Sequence, residues 1–156
     1  MASELRVDKI VPTTGVPTGG AGGVIQMVQD TYNTESSTAN SSYTETGLSV
    51  NITPTSSSNK VLVLFNLPLQ KGASNLRIAT ALHRGGSNIY IANLESCFNN
   101  ASSQATETVS GMFLDSPATT SQLTYDVRVK VSSGSGTFYW AVSSCVCTLT
   151  AMEVSG

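Results

Sequence analysis

Charge is what this chain has least of. Asp, Glu, Lys and Arg make up 12% of its 156 residues, about half the ~25% usual in soluble domains. The eight basic residues are scattered from Arg6 to Lys130, and the formal net charge is −2. Neutralising phosphates takes a clustered excess of Lys and Arg, so nucleic acid is excluded as a partner. There is one histidine, His83, and three cysteines. A metal site wants about four ligands at loop-type spacing, so neither a metal nor a cofactor is expected. No run approaches the roughly 18 apolar residues of a spanning helix, which excludes membrane insertion by that route. The opening Met1-Ala-Ser-Glu-Leu-Arg6 lacks the basic stretch and apolar core of a secretory signal.

The cysteines are Cys97, Cys145 and Cys147. On an extended strand Cys145 and Cys147 would point to one face roughly 7 Å apart, at or beyond the Cα separation a disulfide accepts. All three read as small, partly buried hydrophobes of a chain made in a reducing cytosol.

What the chain has in quantity is small hydroxyls: 23 Ser and 19 Thr. The first 23 residues differ from the rest. Leu5, Val7, Ile10 and Val11 stand among Glu4, Arg6, Asp8 and Lys9; Val11-Pro-Thr-Thr-Gly15 is then echoed by Val16-Pro-Thr-Gly-Gly20. Proline fixes φ and biases the preceding valine toward extended backbone, and Gly19–Gly23, with Ala21, follows as a flexible joint. An extended arm over residues 1–23 that cannot bury its own apolar residues docks on something else, with Leu5, Val7, Ile10 and Val11 as its docking residues.

From Val24 onward the pattern predicts strand after strand. Leu48, Val50 and Ile52 alternate cleanly. Lys60–Leu67 is apolar on both faces, so it reads as a central strand covered on both sides. Leu76–His83 and Asn88–Leu94 flank Arg84-Gly85-Gly86-Ser87, a tight hairpin signal. Further strands are expected at 24–29, 106–114, 123–131, 137–142 and 145–154, and no segment holds a 3.6-residue apolar period. The fold class is therefore all-β: a single antiparallel β-sandwich or jelly roll of about nine strands over residues 24–156, preceded by the extended arm.

Reactive groups are hard to assemble. Alternation places Arg77 and His83 outward, and no Gly-x-Ser-x-Gly elbow accompanies the histidine. Asp30, Glu35, Glu45, Glu95, Glu107, Asp115 and Asp126 stand in no acid/base motif, although carboxylates distant in sequence can converge in a sheet. Gly19–Gly23 lacks the Lys-Ser/Thr and following helix of a phosphate loop. No catalytic residue is assigned. Phe138 and Trp140 share a strand face opposite Tyr139, so Tyr139 is left to the surface or an interface. The polar connections Asn33–Tyr43, Arg84–Ser87 and Phe98–Thr106 are the candidate recognition loops. Tyr139, Arg84 and His83 are the candidate surface-recognition residues.

Several blocks carry a resemblance: Leu5-Arg-Val-Asp-Lys-Ile-Val-Pro12 with Gly23-Val-Ile-Gln-Met-Val-Gln29, Thr46-Gly-Leu-Ser-Val-Asn-Ile-Thr-Pro54 with Ser58-Asn-Lys-Val-Leu-Val63, Phe113–Tyr125, and the closing Met152-Glu-Val154. Together they resemble small, fibre-like β-structured virion proteins of bacteriophages, especially phages of marine cyanobacteria. The resemblance implies a non-enzymatic homotrimer in the virion, made and assembled in the host cytoplasm. Its arm would hold a tail adaptor or the capsid, and its β-body would face outward. Coiled-coil heptads and repeated shaft segments are missing, so the resemblance is to a short knob. Recognition of host-surface glycan by exposed loops would be an added role. The alternatives are a capsid-surface decoration knob, a free carbohydrate-binding module, and a small depolymerase built on the seven carboxylates above.

Overall fold

The described residues form ten strands and one short 3-10 turn, Val142–Ser144: β1 (Val24–Tyr32), β2 (Ser36–Thr38), β3 (Thr44–Ile52), β4 (Lys60–Lys71), β5 (Arg77–Arg84), β6 (Ser87–Ser96), β7 (Ala105–Asp115), β8 (Leu123–Ser133), β9 (Phe138–Trp140) and β10 (Cys147–Val154). This computed structural model describes residues 23–96 and 104–156. The expected arm with Leu5, Val7, Ile10 and Val11, the residue Cys97 and most of the Phe98–Thr106 loop lie outside the described residues.

The pairing has a simple logic. β1 pairs with β10, β3 with β8, β4 with β7 and β5 with β6, all antiparallel. The chain thus pairs as one long hairpin would, with its tip at Gly85-Gly86. Two further ladders, β10 with β4 and β5 with β8, roll that hairpin into two sheets. Sheet A runs β1-β10-β4 with β7 on the far side of β4, and sheet B runs β3-β8-β5-β6. That order is a jelly roll. The short β9 continues the β10 side of β4 at Leu69–Lys71, and β2 pairs with β9.

The core lies between the sheets. β4 contributes Val61, Val63, Phe65, Leu67 and Leu69; β8 contributes Tyr125, Val127, Val129 and Val131; Phe138, Trp140 and Leu149 close it. The alternation expected at Leu48, Val50 and Ile52 is present, with Thr46 joining the buried set. The tip residues Gly85 and Gly86 sit at φ 56° and 81°, the backbone a two-residue hairpin turn needs.

Four expectations are corrected. β4 is central, but the described residues cover only one of its faces: Leu62 and Leu64 point away from the core and stay partly exposed. The Asn33–Tyr43 loop contains β2, whose polar Ser36-Ser37-Thr38 carries no apolar signal. The strand expected over 137–142 is cut to Phe138–Trp140, because Ala141, Ser143 and Ser144 take left-handed backbone (φ 54–60°) and turn the chain. Cys145 falls in that turn and is exposed, while Cys147 opens β10 and is buried; burial raises the Cys147 thiol pKa. The two thiols therefore do not share a strand face.

Gly47 marks an irregularity in the β3–β8 register between Glu45 and Ser49. Its φ is 94°, and a Cβ there would lie 2.6 Å from Cε2 of Tyr32. Gly47→Ala should therefore cost about 2 kcal/mol, seen as a lower urea midpoint with an unchanged slope; an unaltered midpoint would show that the bulge relaxes freely.

Candidate functional site

The outer face of sheet B carries charge. By register, His83 lies beside Asp126, Ala81 beside Arg128 and Ala79 beside Lys130, with Glu45 and Ser49 across from Arg128 and Asp126. Arg128 donates from Nη2 to Oε1 of Glu45 at 3.0 Å and from Nε to Asp126. The Asp126 hydrogen bond holds the Arg128 pKa above its usual value. A recess of about 330 Å³ opens beside this group, lined by Glu45, Ser49, Gly85, Gly86, Asp126 and Arg128 among others.

His83 was expected to face outward. It does point to the outer side of sheet B, yet it is only 5% exposed. The Tyr43 ring lies edge-on to it with centroids 5.2 Å apart, and Lys130 Nζ sits 4.6 Å from the same ring centre. Alanines at 79 and 81 leave this strip of the face low enough for Tyr43 to cover it. Burial raises the Tyr43 phenol pKa, with a hydrogen bond to Asn88 opposing. His83 Nδ1 is 3.1 Å from the Gly86 carbonyl oxygen, and Nε2 has no hydrogen-bond partner among the described residues. Among the described residues no hydroxyl is hydrogen-bonded to this ring, and the imidazole offers solvent little surface.

Arg84 belongs to a strut between the sheets. Its Nη1 donates to Oδ2 of Asp115 at 2.5 Å, and the fully buried Tyr125 hydroxyl donates to the same oxygen at 2.6 Å. Burial, and then the Asp115 carboxylate, push the Tyr125 phenol far above its ordinary range. Tyr139 is half-buried on the outer face of sheet A, beside Gln70 and Ser37, with its ring against Gly72. Phe138 and Trp140 point the other way into the core, where Trp140 Nε1 donates to the Thr46 carbonyl at 2.8 Å. The structure therefore places His83 and Arg84 near the hairpin tip and Tyr139 at the opposite end of β4.

Among the expected carboxylates, Glu45 and Asp126 are brought together, but around the Arg128 guanidinium. Asp115 is held by Arg84, Glu95 by Arg77, and Asp30 accepts the backbone amides of Thr31 and Ser49. The most heavily bonded carboxylate is Glu153, which the pattern of β10 did not single out. It is fully buried and accepts hydrogen bonds from Gln26 Nε2, Asn59 Nδ2, the Thr55 amide and the Thr55 hydroxyl at 2.6–2.8 Å. Burial pushes its pKa up, but these donors outweigh it and hold the group below its usual value. Its role is to pin the β3–β4 connection to β1 and β10.

The outer face of sheet A is the opposite of sheet B. Met27, Met152, Leu62 and Leu114 align in register across β1, β10, β4 and β7; Gln29, Thr150, Leu64 and Met112 form the next row, and Thr31, Thr148, Asn66 and Ser110 the one after. None of these side chains is charged. Met112, Met27 and Leu114 are 65%, 62% and 48% exposed. A shallow recess of about 400 Å³, lined in part by Leu64, Asn66, Ser110, Gly111, Met112 and Thr150, opens in the same face. The apolar second face of β4 was the one sequence signal that could have found it.

No protein-family model matches the chain, and no curated protein matches it by sequence. Among solved structures the chain is similar to the subunit of infectious bursal virus derived T=1 particles, at 11% identity and TM-score 0.47 over 94% of this chain and 41% of that one. It is also similar to VP2 of an infectious bursal disease virus subviral particle, at 12% identity and TM-score 0.47 over 94% and 42%. Against the Bacillus endospore appendages that form disulfide-linked pili, identity is 13% and TM-score 0.31 over 92% of this chain and 100% of that one. The chain spans about two fifths of the length of the two viral chains. The jelly roll stands on the chain's own strand order.

Two of the buried carboxylates, Asp115 and Glu153, make distinct predictions. Asp115→Ala, which strands the Tyr125 hydroxyl and unpairs Arg84, should lower unfolding free energy by about 3 kcal/mol; a loss under about 1 kcal/mol would mean water replaces the strut. Glu153 has a folded pKa below its unfolded value of about 4.3, so its contribution is present above that pH and fades as pH falls through the folded pKa. Thermal melts from pH 6 to pH 2 should show Glu153→Gln less stable than wild type at pH 6 and the gap narrowing below about pH 4; a gap independent of pH would remove the charge from the explanation.

Proposed function

We propose that this chain is a non-enzymatic, fibre-like structural protein of a bacteriophage virion: a short knob held to a tail adaptor or the capsid by residues 1–23, and associating with copies of itself through its β-body. The observation that carries this reading is the broad outer face of sheet A on a jelly roll, uncharged in its rows through Leu62, Leu64 and Asn66. A solvated face normally mixes charges of both signs, whereas exposed apolar patches mark protein contacts. The resemblance of the sequence blocks to phage virion proteins, with the homotrimer that it implies, supports the reading. Manufacture and assembly in the host cytoplasm belong to the same proposal.

Register gives the knob a direction. The Ser155 amide donates to the Gly23 carbonyl at 3.1 Å, and Val24, Val154 and Lys60 mark that end of sheet A. The Arg84–Ser87 turn lies at the same end, because Arg84 holds Asp115, which is paired with Val61. Tyr139 lies at the other end, beside Gln70. If residues 1–23 face the particle, Tyr139 is the member of the recognition set that faces the host. Weak glycan contacts there, repeated over many copies, would add up to firm attachment.

The recess between Glu45, Asp126 and Arg128 favours a second reading, a free carbohydrate-binding module, since lectin domains also use jelly rolls. Deleting residues 1–20 separates the two. The virion reading expects a folded body, by its β-type circular dichroism, that no longer co-purifies with particles. Incorporation at wild-type levels would overturn it, and sugar binding unaffected by the deletion in a monomeric protein would favour the module.

A further inference from the structure

We infer that the outer face of sheet A packs against the same face of a second copy of this chain, each Met112 side chain entering the recess of the other. The inference rests on the proposed self-association and adds the surface and the symmetry.

Three observations carry it. The first is β4, whose Leu62 and Leu64 give it an apolar second face that the described residues leave uncovered. A strand apolar on both sides is the mark of a sheet covered on both sides, and the missing cover must come from elsewhere. The second is extent. Four strands spaced about 4.8 Å and about 33 Å long present roughly 600 Å², close to the roughly 800 Å² that each partner buries in a standard interface.

The third is self-complementarity. Met112 stands out at 65% exposure beside a recess that Leu64, Phe65 and Gly111 line together with the uncharged Asn66, Ser110 and Thr150. A face that carries both a projection and a hollow can meet itself: a two-fold axis lying in the face, midway between them, brings each projection over the other copy's hollow. This is the isologous contact of most dimers. Methionine suits it, since its unbranched thioether adapts to an irregular cavity. The three rows through Leu62, Leu64 and Asn66 carry no charge, with Lys60 standing at the end of the face, so within those rows neither like-charge repulsion nor the desolvation of an unpaired ion opposes contact. A strongly charged partner finds nothing to pair with here, whereas a second copy brings the matching uncharged surface.

The test is the solution mass of the full-length chain by light scattering, alone and with Met112→Glu or Ser110→Arg. Both positions are exposed, so neither change disturbs the core, and circular dichroism checks the fold. The expected result is a wild-type mass that is an even multiple of 16.3 kDa, halved by either substitution: a dimer becoming a monomer, or a pair of trimers becoming one trimer. A wild-type mass that is an odd multiple of 16.3 kDa, or one that both substitutions leave unchanged, overturns the inference; coverage of the face by residues 1–22 of the same chain would give such a result. A substitution-resistant trimer would overturn the face pairing while leaving the virion reading intact. An even, substitution-sensitive mass in a protein missing from purified particles would overturn the virion reading and keep the pairing.

Discussion

The pairing of β4 on both its edges is the constraint on which the rest of the molecule depends. It is the longest strand, and it takes β7 along one edge and β10 followed by β9 along the other. Its inward residues supply the middle of the core, and every other strand of sheet A is held directly by it or through one of its neighbours. Because the backbone groups of β4 are satisfied within the sheet, its exposure is confined to side chains on one face. That face is available for contact without any strand having to open.

Charge is divided between the two faces in a way that composition alone does not show. The ion pairs of the body lie on sheet B and around the hairpin tip, where Arg128, Arg84 and Arg77 each meet a carboxylate. The middle rows of the outer face of sheet A hold only Met, Leu, Thr, Ser, Asn and Gln, with Lys60 at one end. Contacts made through such a face depend little on ionic strength, while the partly exposed ion pairs of sheet B add modestly to stability and are screened by salt.

Much of this was legible in the sequence, and what was not has physical causes. The alternation of β3 and the Arg84-Gly85-Gly86-Ser87 turn are local signals, since side-chain period and left-handed turn backbone are properties of short windows. The fate of His83 is not local: its cover comes from Tyr43, forty residues earlier in the chain, and alternation cannot report what lies on top of a strand. Glu153 reads as an ordinary polar position, because its donors, Gln26, Thr55 and Asn59, come from β1 and the β3–β4 connection. β2 has no apolar residue to announce it and exists because β9 offers it an edge. The double apolar character of β4 was legible, but among the described residues only one of its two faces is covered.

The shared corner of Gly23 and Ser155 has a mechanical meaning. Tension entering through residues 1–22 and directed along β1, away from the sandwich, runs parallel to the strand and perpendicular to the hydrogen bonds that join β1 to β10 from Val24 to Tyr32. Such a load shears the whole ladder at once instead of peeling it bond by bond. The same ladder pulled sideways, from Ser155 against Gly23, would unzip from its end. The direction of pull, more than the number of bonds, sets how firmly β1 stays in sheet A.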